Sequence, residues 1–589
     1  MSKRYWLVAA TAIAAFVSTT VVHSAGAPTQ KQARLQSIAV TAKPAAERRV
    51  SRLIVKLRDS EANAGRQGDR GLRVADLAAA AGVGLSHVRD VAGGAALVAL
   101  ESGGLPLSQA KAMAARLAAD PRVEYAEPDV LLKKLATPTD SGFARWQWNL
   151  FAPTSIFEGS LISSSATKSA VATGGANLPP AWDFTTGSTS TVVAVIDTGI
   201  VNHPDLNGLA NPAPYVPGGR FLSGYDFVSS DVGAADGLPS NFVANDGNGR
   251  DADPTDPGDW VTVTEETRFP DACDDGVAGG QDSSWHGTHM AGIVAASANN
   301  NIGIAGVGWN VRVLPIRALG KCGGSLVDIG EAIRWAAGLA VPGVPTNMTP
   351  ARVISLSLGG PDPCSPHMQA AVDAAVAAGA VVIAASGNEG SLSLVSPASC
   401  TGVIAVTGHT ILGENADYAN IGTGVTISAP GGGSPVQLGT GGPTDDDGWT
   451  GYYIWSTVLF GATTPGSADA RGDTGAAYTG FEGTSAAAPQ VAGAAALLAT
   501  VVPSATPAQI RAFLVTNVRP FPAGGACAAG GAFAGLCGAG LLDVGAAVAA
   551  AAPSSVPPVG GGGGGGALPL GQLLLLVALL AGARLRRRE

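Results

Sequence analysis

Two uncharged apolar runs frame the chain. The first, Trp6 to Val22, stands behind Lys3 and Arg4 and leads into Ser24-Ala25-Gly26-Ala27. A basic start, an apolar stretch and a small-residue A-x-A site are the layout of a secretory signal peptide, assigned to residues 1–27. The second run, Ala567 to Ala583, follows a linker at 553–566 built from Pro553-Ser554-Ser555-Val556-Pro557-Pro558 and the glycines Gly560 to Gly566. It is just long enough to cross a bilayer. Arg584, Arg586, Arg587 and Arg588 then mark the cytoplasmic side, so 567–589 reads as a membrane-directed tail.

Between these ends the pattern changes character once. Arg52-Leu53-Ile54-Val55-Lys56-Leu57 alternates with period two and predicts a strand, and Val91 to Leu100 contains a second. Leu107 to Ala119 has helical apolar spacing, and Val123 to Asp129 is strand-like until Pro128 interrupts it. Together they predict a small α+β unit over about 52–132, inside a leading segment 28–135. Further on the apolar runs become continuous: Thr191 to Ile196, the stretch beginning near Arg352, and Val381 to Ala385. Such runs fit strands buried on both faces of a parallel sheet. Helices of small residues are predicted to open at His286 and near Ser485. Pro489 is placed in the first turn of the latter, where an amide has no helical acceptor to lose. Residues 136–552 are therefore expected to form an α/β domain.

Composition narrows the class. Of 589 residues, 81 are glycine and only 14% are charged, and the mean hydropathy is +0.24. The glycines lack the Gly-X-Y period of collagen, and the chain is too apolar for a solvated disordered polymer. A net charge of -9 argues against a nucleic-acid partner.

Three separated segments carry the candidate chemistry. The strand ending at Ile196 delivers Asp197-Thr198-Gly199 to its C-terminal end, where ligand sites sit in open α/β sheets. His286-Gly287-Thr288-His289-Met290-Ala291-Gly292 and Gly483-Thr484-Ser485-Ala486-Ala487-Ala488-Pro489 supply the others. A serine nucleophile needs a base in contact and a group that orients the base. Asp197, His286 and Ser485 fill those roles in the order Asp, His, Ser, each beside its own glycine. In this the chain resembles the subtilisin-like (subtilase) family of serine endopeptidases, over roughly Leu150 to Val548.

The resemblance implies a three-layer α/β fold with a mostly parallel central sheet. Before it would stand a ferredoxin-like inhibitor propeptide ending at Val123-Glu124-Tyr125-Ala126-Glu127-Pro128-Asp129 and cut near Lys134 to Ala136. It also implies that Asn388, in Ser386-Gly387-Asn388-Glu389-Gly390, donates to the oxyanion together with the Ser485 amide. Ser357, Leu358 and Gly359 would form the edge that pairs with an extended substrate. Val395 would lie near the pocket floor and favour modest apolar side chains. Two positions depart from the family: Ala486 stands where Met is usual, and Gln490 where His is usual. The 89 positions from Asp197 to His286 include a long Asp- and Gly-rich excess between Phe221 and Gln281.

Structural calcium is the expected cofactor, and no catalytic metal is expected. Asp246, Asn248 and Asp251 lie on a turn-rich acidic loop, which a solvated loop explains equally well, and Pro257 stands where an EF-hand would have its bidentate Glu. By resemblance, a second set comprises the side chains of Asp205 and Asn300 with the carbonyls of Ala298, Ile302 and Ile304. His286 and His289 lack the H-E-x-x-H glutamate and spacing of a zinc helix, and Asp473-Thr474-Gly475 lacks a buried strand before it.

Six cysteines behind a signal peptide suggest an oxidised framework with fifteen possible connectivities. The resemblance implies Cys273–Cys322, Cys364–Cys400 and Cys527–Cys537. It further implies a secreted or surface enzyme of a Gram-negative bacterium, anchored transiently through a glycine-run sorting signal. Expected partners are protein or peptide substrates, the chain's own propeptide as inhibitor, signal peptidase and a C-terminal sorting protease, and the protein is expected to be a monomer. The alternative from another class is a noncatalytic surface binding protein on the same fold.

Overall fold

The computed structural model describes residues 49–58, 76–77, 79, 82, 84–101, 104–130, 136–160, 167–210, 214–269, 273, 280–433, 449–459, 461–464 and 477–552. The signal peptide, the C-terminal linker and tail, the expected cut through residue 135 and Asp473-Thr474-Gly475 lie outside the described residues.

The main sheet of the small α+β unit has four strands among the described residues: β1 (Arg52–Leu57), β2 (Leu85–Val91), β3 (Ala95–Leu100) and β4 (Val123–Pro128). They pair antiparallel in the order β2-β3-β1-β4, the ordering of a ferredoxin-like sheet. Helix α1 (Leu107–Ala118) buries Ala110, Ala114 and Leu117, spaced four and three apart, against Leu53, Val55 and Val98. The strand expected within Val91 to Leu100 is β3, and the turn at Gly93 and Gly94 joins it to β2 as a hairpin. Strand β2 escapes pattern reading because only Leu85 among its residues is buried.

The larger sheet has seven parallel strands among the described residues. They are β5 (Val192–Asp197), β6 (Tyr225–Asp226), β7 (Arg312–Arg317), β8 (Val353–Leu356), β9 (Val381–Ala385), β10 (Ile404–His409) and β11 (Ile427–Pro430). Their order is β6-β7-β5-β8-β9-β10-β11. Strand β5 thus has β7 on one side and β8 on the other, and the winding reverses at its carboxyl end. That reversal opens the crevice in which α/β sheets bind ligands, and Asp197 is the last residue of β5.

Strand alternation feeds two cores. Val193, Val195, Val353 and Ile383 face helices α2 (His286–Ala295) and α5 (Thr484–Val501). Val192, Ala194, Ile354 and Val382 face α3 (Leu326–Ala336) and α4 (Pro366–Ala377). The result is helix, sheet, helix: the three-layer α/β fold. Helix α5 is long and apolar enough to span a membrane, yet 83% of it is buried inside the protein. Its alanines let it lie close across β8, β9 and β10.

Pro489 corrects one expectation. Helix α5 begins at Thr484, so Pro489 falls in its second turn rather than its first. A proline there deprives the carbonyl four residues back, that of Ser485, of its helical donor. The hydroxyl of Ser357 fills the gap, donating to Ser485 O at 2.7 Å. The proline therefore ties the N-terminus of α5 to the end of β8.

The six cysteines form Cys273–Cys322, Cys364–Cys400 and Cys527–Cys537. The first closes a loop of 49 positions and fastens the long segment before His286 to the loop after β7. A closure of that length contributes roughly 4 kcal/mol in the chain-entropy account.

Candidate active site

Three elements converge at the carboxyl end of β5. Asp197 is fully buried, and its Oδ1 accepts from the Thr198 amide at 2.8 Å and pairs with His286 Nδ1 at 2.7 Å. Its Oδ2 is buried with no hydrogen-bond partner among the described residues. His286 opens α2 next to Trp285, which holds φ 52° as the residue preceding the helix. A left-handed tryptophan costs about 1–2 kcal/mol. Burial of its ring with Val201, Val458 and Leu459, and its Nε1 bond to Gly461 O, hold it there. Helix α2 also packs directly on the Asp197 turn. A Cβ on Gly287 would stand 2.1 Å from Gly199 O, so only glycine fits.

Burial pushes the His286 imidazole down. The Asp197 carboxylate and its hydrogen bond, with the charges of Asp259 and Asp256, more than offset this, and its pKa lies above 6.5. His289, one turn on, is fully buried, stacks on Phe481 at 4.0 Å and is pushed down to about 3 by burial and by His286. It stays neutral beside the base.

Ser485 is the second residue of α5, where the positive end of the helix dipole favours a developing oxyanion. Its hydroxyl donates to Ser357 O at 3.2 Å. Asn388 lies on the loop after β9, with Oδ1 accepting from both the amide and the hydroxyl of Thr484, each at 2.8 Å. That anchoring fixes the orientation of the Asn388 carboxamide. Asn420, 1% exposed, holds the loop: its Oδ1 accepts from the amides of Glu389 and Ser391. Ser357 and Leu358 are buried beyond β8, and a Cβ on Gly359 would stand 2.2 Å from Val395. Val395 thus packs against the Gly359 backbone. At the two departures, Ala486 is buried, while buried Gln490 donates to Pro430 O and accepts from Asn149.

Thr198, Thr484 and Asn420 were missed by sequence reasoning. The first two stand inside the motifs themselves. Asn420 carries no local signal, and only the fold brings it under Asn388.

The candidate calcium residues fare differently. Asp205 is fully buried, accepting from Asn300 Nδ2 at 2.7 Å, from the Ile304 amide at 2.9 Å and from Tyr478 at 3.2 Å. Burial pushes its carboxyl up to about 7, and the charge of Asp140 adds to the rise. Asp140, also missed, is buried and accepts from the amides of Asn299 and Asn300. Ile304 is buried, Ala298 half-buried and Ile302 exposed along the same loop.

Asp246, Asn248 and Asp251 bond to one another rather than standing as three open ligands, the Asn248 amide donating to Asp246 Oδ1 at 3.1 Å and Asn248 Nδ2 to Asp251 Oδ2 at 2.8 Å. Asp246 turns to the buried guanidinium of Arg317 at 3.0 Å, which also pairs with Asp226. Asp251 accepts from Asn248 Nδ2 and from the Asp253 amide. An arginine already supplies the positive charge, and no group of three His, Cys, Asp or Glu that could hold a metal forms among the described residues.

Fold and site together define an α/β protein with a buried Asp197–His286 pair at a topological switch point and Ser485 bonded to Ser357 beyond the neighbouring strand β8. The profile of the subtilase family (Peptidase S8) matches residues 188–540, and the chain belongs to that family. It is 41% identical over 468 residues to an extracellular protease of Xanthomonas campestris pv. campestris, covering 79% of this chain and 66% of that protein. It is 34% identical over 410 residues to an extracellular basic protease of Dichelobacter nodosus, covering 69% of this chain and 56% of that protein. The chain therefore spans less than two thirds of either relative's length. A solved protease structure from Pseudoalteromonas arctica aligns over 71% of this chain and all of its own, with 39% identity and a TM-score of 0.55.

Proposed function

We propose that the protein is a secreted serine endopeptidase that cleaves peptide bonds through an acyl-enzyme. The observation that carries the reading is the 2.7 Å bond between His286 Nδ1 and buried Asp197 at the switch point, and the bond of Ser485 to the Ser357 carbonyl beyond neighbouring strand β8 supports it. Similarity to two extracellular proteases supports the activity and the secretion.

The Ser485 hydroxyl leaves the Ser357 carbonyl by rotation about χ1 and attacks the scissile carbonyl carbon, while His286 Nε2 takes its proton. Asp197 keeps the other imidazole proton on Nδ1 and stabilises the imidazolium. The tetrahedral oxyanion is held by Asn388 Nδ2 and the Ser485 amide. His286 then gives its proton to the leaving amine, and water, deprotonated by the same nitrogen, releases the acyl group. Reaction with a fluorophosphonate tests this. Correctly processed protein is expected to gain one label, on Ser485, and absence of labelling would leave the noncatalytic binding protein as the better reading.

The unit at 52–132 is read as an inhibitor propeptide and the tail at 567–589 as a sorting signal, both absent from the mature enzyme.

A structural calcium ion suits the loop around Asp205. Burial raises the cost of ionising both Asp205 and Asp140, the charge of Asp140 adds to it at Asp205, and no ion pair reaches either among the described residues. Asp205, Asn300 and the carbonyls of Ala298, Ile302 and Ile304 would hold the ion, which supplies charge neutralisation rather than chemistry. Chelation of the mature enzyme is expected to lower Tm by about a few degrees. Asp205→Asn is expected to blunt that shift, and a Tm indifferent to chelator would remove calcium from the account.

A further inference from the structure

A cleft of about 390 Å3 opens beside His286. His286 and Ser357 form one side of it. The other side comes from the long segment between Asp197 and His286, where Asp259, Val261, Gln281 and Ser284 line the wall, closed by the Cys273–Cys322 disulfide. Among the described lining residues, Asp259 alone carries a formal charge besides whatever His286 bears.

That carboxylate is built into place. Its Oδ1 accepts from the Ser284 amide and its Oδ2 from the Ser284 hydroxyl, both at 2.7 Å. The same hydroxyl accepts from the His286 amide at 3.2 Å, so Asp259 is clamped to the N-terminus of α2. Each oxygen retains a lone pair for another donor. Behind it lies buried Asp256, bonded to Thr198 Oγ1 at 2.7 Å, which deepens the negative potential. The nearby cation does not compensate: buried Lys321 is engaged by Glu265 at 2.7 Å and lies over the Trp260 ring.

A substrate strand along Ser357 to Gly359, with its scissile carbonyl at Ser485, sends alternate side chains to opposite faces. The residue whose carbonyl is attacked faces Gly359 and Val395. Its N-terminal neighbour, P2, faces the imidazole and this cleft. Resting on the endopeptidase reading above, we infer that Asp259 makes this cleft a subsite for a basic P2 side chain, arginine or lysine, recognised by a charge-assisted hydrogen bond.

The test compares kcat/KM for peptides identical except for arginine or norleucine at P2, with fluorophosphonate titration fixing the concentration of active enzyme. Measured on the alkaline plateau of kcat/KM, where the base is neutral, the mature enzyme is expected to prefer arginine about two- to fivefold. Asp259→Asn is expected to bring the ratio towards one, and Asp259→Glu to restore part of it. Should the variants not accumulate, raising ionic strength on the unaltered enzyme is expected to shrink the preference. A titratable enzyme with no preference for arginine, or one that survives both Asp259→Asn and high salt, overturns the subsite while leaving the protease reading intact. Failure of titration itself overturns both.

Discussion

Ser485→Ala is expected to lower turnover about 10⁶-fold, the size known for losing the serine in a member of this family, and to leave the precursor uncut. The loss is chemical rather than structural. Position 485 is the second residue of α5, where alanine is a good helix former. The tie that replaces the proline-blocked bond runs from the Ser357 hydroxyl to the backbone carbonyl of residue 485, which the substitution keeps. The Ser485 hydroxyl makes one described bond of its own, to Ser357 O at 3.2 Å. Thermal unfolding of the variant should therefore match the parent, while mass mapping shows the segment before about residue 136 still attached. Normal processing of the variant would show that another protease makes the cut.

Local sequence exposes the groups that react more readily than those that hold them. Asp197 was legible because a continuous apolar run reads as a buried parallel strand and the motif sits at its end. His286, Ser485 and Asn388 were legible because close packing demands small neighbours, as Gly287 does against Gly199. What escaped depends on contacts between distant segments. The acidic loop around Asp246 reads equally as a cation site or a solvated loop, and only the fold brings Arg317 to it from 71 positions away. Asn420 reaches the Asn388 loop across 31 positions. Strand β2 was hidden for a different reason, since an edge strand with exposed residues on both faces has no alternation to read. Asp259 lay within a segment legible only as an acidic excess, and its bonds to Ser284 distinguish it from the solvated carboxylates around it.

Asp197→Asn is expected to lower kcat about 10⁴-fold and to move the acid limb of kcat/KM to lower pH. The direction follows from what Asp197 does to His286. The base must be neutral to accept the Ser485 proton, so activity falls as pH drops through its pKa. Burial alone would set that pKa below 6.5, whereas the Asp197 charge and hydrogen bond, aided by Asp259 and Asp256, set it above. Removing the Asp197 charge lets burial count for more, and the limb moves down. The size follows from two unfavourable placements of the new amide. With its oxygen kept at the Thr198 amide and His286, the NH2 group takes the position of Oδ2, which is buried without a partner among the described residues. The imidazole tautomer is then preserved, but no charge stabilises the imidazolium. With the amide reversed, NH2 faces both the Thr198 amide and His286 Nδ1, which forces the imidazole proton onto Nε2 and removes the base. Both placements leave Asn388 and the Ser485 amide in position, so KM should change far less than kcat. A variant that keeps more than about a tenth of the parent kcat would place the orienting role on some group other than Asp197.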